Sequence, residues 1–325
     1  MAKMMGVGAL NLALNELMQA DPKVLCVGED IGTMGGCWTY FRGLKDKFGS
    51  ERVISTPISE SGYTGVSVGL AYGGYRPIVE YMFADFATLA SDGIINVAAK
   101  ARYNSAGALS LPITFVFPEG VGQAGCQHCQ TVEGWFANVP GIKIVAPTTP
   151  ADLRSFLKAA VLDDDPVCFF FSRPCAMSIQ EEVDANDQTV PTLTNAAKIV
   201  KEGTDLTLIA WHSSLLKSIK VADRIEKETG KSIEIIDPRV LCPFDKEKVF
   251  ASVRKTGKVV IANEEVERGS FSSHISAWIA ENCLADLKAP VKRVGSYNTC
   301  IPFGAVEQYA LPQEEDIRKA ILSVL

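Results

Sequence analysis

Along the first half of the chain, short and nearly continuous apolar runs alternate with longer stretches of helical periodicity. VLCVGED (Val24–Asp30), RPIVEYMF (Arg76–Phe83), LPITFVF (Leu111–Phe117), IKIVAP (Ile142–Pro147) and PVCFFF (Pro166–Phe171) read as strands. Runs without polar alternation belong to strands buried on both faces. Helices are expected between them, notably Asp85–Tyr103 and Pro150–Leu162. The opening stretch, apolar but interrupted by Asn11, Asn15 and Glu16, reads as an amphipathic helix. Strands alternating with helices imply a parallel sheet covered on both faces, so the fold class is α/β and doubly wound.

A polar stretch of weak periodicity follows Phe171, and then a second alternating series begins. DLTLIAW, SIEIID, KVVIANEE and APVKRVG read as strands. Helices are expected at Leu215–Glu228, Lys246–Arg254, Phe271–Cys283 and from Glu314 onward. The expected organisation is a first domain over 1–180, a linker over 181–202 and a second doubly wound domain over 203–325. The 325 residues suit two domains of about 100 to 200 residues each. No internal repeat relates the halves.

Composition narrows the function classes. No apolar run approaches the 18 or so residues of a membrane span, and no signal-type start precedes the first helix. The expectation is a cytoplasmic protein, or one of an organelle matrix after processing. A net charge of −6 without a basic cluster gives no footprint for nucleic acid. Nine scattered cysteines form an odd set, expected to be reduced and mostly buried.

Three stretches carry candidate chemistry. GCQHCQ (Gly125–Gln130) places His128 between Cys126 and Cys129 in C-x-x-C spacing. A tetrahedral zinc site needs ligands that four neighbouring residues cannot converge, and His212 and His274 lie in the other half. A redox dithiol or a plain loop histidine remain alternatives on these residues alone. The glycine-rich loop Pro118–Gln130 follows a strand at the sheet edge where α/β ligands bind, which makes His128 a site candidate. Glu60, in RVISTPISESGYTGVSVGLAYGGYRP, opens a helix dense in small residues. It reads either as a first-turn carboxylate favoured by the helix dipole or as a partly buried carboxyl that meets a heterocycle.

GEDIG (Gly28–Gly32), RVISTPISESGYTGVSVGLAYGGYRPIVEYMFADF (Arg52–Phe86), HCQTVEGWFANVPGIKIVAPTTPAD (His128–Asp152), IDPRVLCPFD (Ile236–Asp245) and SVRKTGKVVIANEE (Ser252–Glu265) carry a resemblance. In order and spacing the chain resembles the β chain of the decarboxylating component of 2-oxo acid dehydrogenases, a transketolase-like family that includes pyruvate, branched-chain and acetoin enzymes. The resemblance implies a pyrimidine-binding domain of thiamine diphosphate enzymes followed by a transketolase C-terminal-like domain. It implies that thiamine diphosphate is shared with an α chain that binds the diphosphate and Mg2+ through a GDG…N motif, which this chain lacks; SDGIIN (Ser91–Asn96) is a superficial echo. The implied assembly is an α2β2 heterotetramer serving a lipoyl acyltransferase core.

Residue by residue, Glu60 matches the glutamate that drives the pyrimidine to its imino tautomer and so generates the thiazolium ylid. Phe86 matches an aromatic packed on the pyrimidine, and Ile58 and Glu29 match further cofactor contacts. His128 matches the histidine directed at substrate and lipoyl arm. Ala160, Asp163 and Asp165 match a loop that in some relatives holds a monovalent cation, K+, with an ordinary helix end as the alternative reading. Glu264, Glu265 and Glu267 are candidates to meet a basic partner surface, or form a solvated loop. The chain departs from the usual pattern at Val116 or Phe117, where an arginine is common, and at Asn138 and Asn263, where histidines are common. The implied reaction is oxidative decarboxylation of a 2-oxo acid, or acetoin cleavage, with acyl transfer to a lipoyl group. The alternative is a half-transketolase that passes a two-carbon unit to an aldehyde.

Overall fold

The computed structural model, which describes residues 1–325, turns the apolar runs of the first half into a parallel sheet. One compact unit comprises Met1–Glu119 and Phe136–Leu193, and a second comprises Gly120–Trp135 and Thr194–Leu325. The first begins with β1 (Ala2–Met5), α1 (Gly6–Ala20), β2 (Val24–Glu29), α2 (Leu44–Phe48), β3 (Val53–Thr56), α3 (Glu60–Tyr72) and β4 (Arg76–Glu80). It continues through α4 (Ala87–Ser91), α5 (Ala101–Asn104), β5 (Thr114–Glu119), then, after the short helix α6 (Glu133–Phe136) of which only Phe136 belongs to it, β6 (Lys143–Val145), α7 (Pro150–Leu162), β7 (Val167–Ser172), α8 (Arg173–Ser178) and β8 (Gln180–Val183).

Its sheet runs β6-β7-β5-β4-β2-β3, with every pair parallel. From β2 the chain moves to β3 on one side, then crosses back to β4 on the other. The winding therefore reverses between β2 and β4, and ligands of open α/β sheets bind beyond the carboxyl ends at such a reversal. Glu29 and Glu80 are the last residues of these two strands.

Two sequence expectations are refined. The chain start is a strand before it is a helix, because Ala2–Met5 pairs antiparallel with Gln180–Val183. Helix α1 then buries Leu10, Leu14, Leu17 and Met18, and a side chain at Gly6 would come within 2.7 Å of the Ala176 backbone. Each fully buried leucine there contributes about 1.5 to 3 kcal/mol. The expected helix Asp85–Tyr103 is helical but irregular, with a 3-10 turn at Ala84–Phe86 and a wide π turn at Asp92–Ala98. A Cβ at Gly93 would sit 2.7 Å from Thr64 Cγ2, so this turn packs tightly on α3. Helix α7 begins as its sequence dictates: the Thr149 hydroxyl accepts the Asp152 N–H, and Pro150 fills the first turn.

The second unit contains β9 (Lys198–Lys201), β10 (Leu206–Ala210), α9 (His212–Thr229), β11 (Ile233–Asp237), β12 (Val240–Cys242), α10 (Lys246–Thr256), β13 (Val259–Val266), α11 (Phe271–Cys283), β14 (Lys292–Ser296) and α12 (Glu314–Leu322). The strands order as β14-β13-β10-β11-β9, all parallel except the edge strand β9. Leu206, Leu208, Val221, Ile225, Ile235, Val260, Ile317 and Ile321 form one core. Helix α10 carries both end signals, an Asp245 carboxylate accepting the Lys248 N–H and Gly257 in the left-handed region at φ 74°. Helix α9 starts at His212, three residues before the expected Leu215, and His212 enters it buried with φ 52°, a conformation rare for a non-glycine residue. No helix is long and apolar enough to cross a membrane.

Candidate functional site

Acidic side chains gather at the carboxyl edge of the first sheet. Glu60 is the first residue of α3 and only 4% exposed, so its carboxylate meets the positive end of a 13-residue helix. Thr64, one turn on, donates to the Glu60 carbonyl at 2.5 Å and shares a 2.6 Å hydrogen bond with the Tyr81 hydroxyl. Tyr81 stacks on Phe117 at 4.8 Å, which stacks on Phe170 at 4.9 Å, giving the edge a rigid aromatic floor.

Glu29 is brought to the same place. Burial, then the Glu60 and Asp30 charges, push its carboxyl up to about 7. Its Oε1 is buried without a protein hydrogen-bond partner. Glu80 is fully buried beside it; burial and then the Glu29 charge push it up to about 8, against the favourable effect of the Tyr40 hydroxyl. A Cβ on Gly28 would lie 3.2 Å from Glu80 Oε2, so any larger residue there would press on that carboxyl. Burial also holds the Tyr63 phenol far above its ordinary value, with Glu29, Glu60 and Glu80 adding to the effect. The edge thus concentrates three carboxyls, and burial, with carboxylate repulsion second, keeps protons on Glu29 and Glu80 near neutral pH.

Ile58 lies two residues before Glu60 and is 83% exposed, an apolar side chain with no protein cover. Phe86 is half-buried on the 3-10 turn after β4, with its ring 5.6 Å from Phe83. Phe83 meets Trp38 edge-on at 5.4 Å, and the Arg173 guanidinium lies over both rings at 4.9 and 4.8 Å. Ala160, Asp163 and Asp165 lie at the opposite edge of the sheet, just before β7. Protein donors engage this loop: Lys143 Nζ is 2.7 Å from the Asp163 carboxylate, Arg102 Nε is 2.5 Å from Asp165, and Arg76 donates to the Asp163 carbonyl at 3.0 Å. The Ala160 carbonyl accepts the Asp163 N–H.

His128 belongs to the second unit. Its loop leaves β5 through left-handed residues at Gly120 (φ 85°), Gln123 (φ 60°) and Gly125 (φ 84°). Within that unit, Gln123 N–H donates to the Glu307 carboxylate at 2.7 Å, and Ala124 bridges Phe303 in antiparallel fashion. His128 is half-buried, and its N–H closes a turn onto the Gly125 carbonyl. The two flanking cysteines are free thiols with different surroundings: Cys129 is fully buried against Ile301 and Leu311, whereas Cys126 lines a cavity. Cys126, His128 and Cys129 do not gather their side chains into a metal-ligating group.

The residues after His128 are anchored from far along the chain. Glu133 is fully buried and accepts the Trp211 indole N–H at 2.9 Å. Gly134 N–H donates to Glu265 Oε1 at 2.8 Å, while Phe271 N–H and Asn263 Nδ2 each donate to Glu265 Oε2 at 2.8 Å. Glu264 and Glu265 therefore face inward, each 4% exposed, and are not a surface for a basic partner. Of that acidic group only Glu267 is exposed, paired with Arg293 at 3.4 Å. Burial and the Glu133 charge hold the Glu265 carboxyl well above its ordinary range. Burial lowers the His212 imidazole, opposed by Glu133 and Glu264. Asn138 is exposed, and Asn263 is a buried partner of Glu265.

The site residues missed in the sequence are Glu80, Tyr40 and Tyr81 at the first edge and Glu133 and Trp211 at the loop. A glutamate ending an otherwise apolar strand was the available signal for Glu80. Nothing local marks Glu133, whose partner is 78 residues away.

Known proteins place this geometry in context. Residues 2–177 match the transketolase pyrimidine-binding domain and residues 195–317 the transketolase C-terminal domain. The chain is 41% identical to the 2-oxoisovalerate dehydrogenase subunit beta of Bacillus subtilis, over 99% of this chain and 98% of that one. It is 35% identical to the pyruvate dehydrogenase E1 component subunit beta of the same organism, over 100% and 99%. The mitochondrial pyruvate dehydrogenase E1 component subunit beta-1 of Arabidopsis thaliana is 41% identical over 96% and 86%. A split-gene transketolase, solved as an inactive beta4 tetramer, superposes with a TM-score of 0.80 at 25% identity, covering 99% of this chain and 98% of that one.

Proposed function

The chain belongs to the family of β subunits of the decarboxylating component of 2-oxo acid dehydrogenases, and from that premise we propose how its own residues serve the reaction. It works with thiamine diphosphate, the cofactor of this family. The bound cofactor supplies an electron sink for the carbon that loses carbon dioxide. The residues at the first edge fit the pyrimidine half of such a group: Glu29 offers a buried carboxylate oxygen lacking a protein partner, and Ile58 offers uncovered apolar surface.

In this reading the Glu60 carboxyl accepts and returns a proton at a ring nitrogen of the heterocycle. Thr64, itself bonded to Tyr81, holds the Glu60 backbone carbonyl and so fixes the helix start from which that carboxyl projects. Glu29, pushed up to about 7, is protonated through part of the neutral range and can donate where Glu60 accepts. Phe86 gives the ring an apolar edge. His128 binds the substrate carboxylate or carbonyl and passes a proton during acyl transfer, with no second imidazole at the exposed Asn138 to share the work. The diphosphate and Mg2+ are assigned to an α chain, since this chain carries no GDG…N motif. The assembly proposed is α2β2, with a lipoyl acyltransferase as acyl acceptor. A monovalent cation at Ala160, Asp163 and Asp165 is not part of the proposal, because Lys143, Arg102 and Arg76 already serve that loop.

One observation carries the reading: a helix-start glutamate, 4% exposed, in a cluster of carboxyls at the winding reversal of a pyrimidine-domain sheet. The half-transketolase alternative is less favoured, since the dehydrogenase subunits are 35 to 41% identical and the split transketolase 25%. The test is co-expression with an α chain and assay against pyruvate, 2-oxoisovalerate, acetoin and a ketose. Dye reduction by dichlorophenolindophenol with a 2-oxo acid or acetoin, requiring both chains, is expected. Ketose-to-aldehyde transfer without dye reduction would establish the alternative.

A further inference from the structure

Arg173 begins α8 at the carboxyl end of β7 and is buried, and the proposed reaction leaves it without a role. A cation in the first turn of a helix meets the helix's positive end, which disfavours it. Aromatic faces supply the compensation. Trp38 and Phe83 meet at an interplanar angle of 87° and so form a corner, and the guanidinium lies over both rings, 4.8 Å from the centre of Trp38 and 4.9 Å from that of Phe83. Its Nε donates to the Glu119 carbonyl at the end of β5, 3.2 Å away. The corner is also tied to the backbone, because the Trp38 indole N–H donates to the Met82 carbonyl at 2.7 Å. One side chain thus joins the end of β5, the start of α8, the loop that carries Trp38 and the turn that leaves β4. That turn carries Phe86. Phe83 immediately precedes the 3-10 turn Ala84–Phe86, and its carbonyl accepts the Phe86 N–H at 3.0 Å. The two phenylalanine rings meet at 73°. Both are half-buried, so packing restrains only part of each, and the buried guanidinium adds a fixed surface against Phe83.

We propose that Arg173 is a positioning residue for thiamine diphosphate: by filling the Trp38–Phe83 corner it fixes the turn that presents the Phe86 ring to the pyrimidine. This rests on the reading of Phe86 as the aromatic beside that heterocycle. Arg173 makes and breaks no bond in the reaction. Its loss leaves Glu60 and Glu29 in place and loosens the apolar side of the ring's seat, so it weakens cofactor binding more than turnover of the bound cofactor.

The test is isothermal titration calorimetry of thiamine diphosphate with Mg2+ into the cofactor-free α–β complex carrying Phe86→Ala, Arg173→Met or both, with Arg173→Lys as the milder change should methionine prevent assembly. Phe86→Ala and Arg173→Met are each expected to raise Kd about three- to tenfold, the range of one aromatic contact. Because Arg173 acts through Phe86, the double variant should bind no more weakly than Phe86→Ala alone. Arg173→Lys keeps a cation but loses the flat stack and the bond to Glu119, so it should raise Kd by less than methionine does. Turnover at saturating cofactor should fall far less than Kd rises. An unchanged Kd for Phe86→Ala would overturn the reading of Phe86 itself. A raised Kd for Phe86→Ala but not for the Arg173 variants, losses that multiply in the double variant, or turnover that falls as much as Kd rises would overturn the positioning role.

Discussion

Replacing Glu80 by glutamine tests the acidic edge through stability alone. The unfolded chain ionises this residue near 4.5, whereas the folded protein holds its proton up to about 8. Between those values the folded state binds more protons than the unfolded one, so stability falls as pH rises through the window and levels off above it. At 1.36 kcal/mol per pK unit, the Glu80 contribution costs about 1 kcal/mol at pH 5 and about 5 kcal/mol at pH 9. Glutamine occupies nearly the same space without a charge. The variant should therefore match the wild type within about 1 kcal/mol at pH 5 and exceed it by up to about 4 kcal/mol more at pH 9. Urea unfolding followed by circular dichroism at each pH gives both curves. Parallel curves from pH 5 to 9 would refute the claim that Glu80 and Glu29 crowd one buried edge.

Two further substitutions probe the His128 loop, and one probes the core. Glu133→Ala leaves the buried Trp211 indole N–H without its carboxylate and should destabilise the chain by about 1 to 3 kcal/mol in chemical denaturation; an unchanged midpoint would deny that anchor. His128→Ala should lower transfer to lipoamide more than dye-linked decarboxylation, and equal losses in the two assays would mean that the imidazole chiefly binds substrate. Leu14→Ala empties a fully buried site of α1 and should cost about 2 to 5 kcal/mol, read from the urea midpoint.

The architecture was legible wherever burial imposes a local pattern. PVCFFF and VLCVGED became β7 and β2 because both sheet faces are covered, and the expected helix starts at Pro150 and Lys246 are those of α7 and α10. Glu60 was legible for the same reason, as a carboxyl at the start of a glycine-dense helix. The grouping of Gly120–Trp135 with the second unit was not, because it depends on partners at Trp211, Glu265 and Glu307 that no local window contains. Glu264 and Glu265 misled for a related reason: adjacent acids usually mark a solvated surface, yet Asn263, Phe271 and Gly134 supply the donors that let Glu265 turn inward. The wide turn at Asp92–Ala98 was hidden because it answers to Thr64 on a different helix.

The central claim is that Glu60 provides the proton chemistry on which every later step depends. The most direct measurement is dye-linked decarboxylation by the co-purified α–β complex carrying Glu60→Gln, with thiamine diphosphate saturating and assembly verified by gel filtration. A loss of turnover of at least about 100-fold is predicted, because the amide cannot exchange the proton that the carboxyl does. Turnover within a few fold of the wild type, in an intact complex, would contradict it.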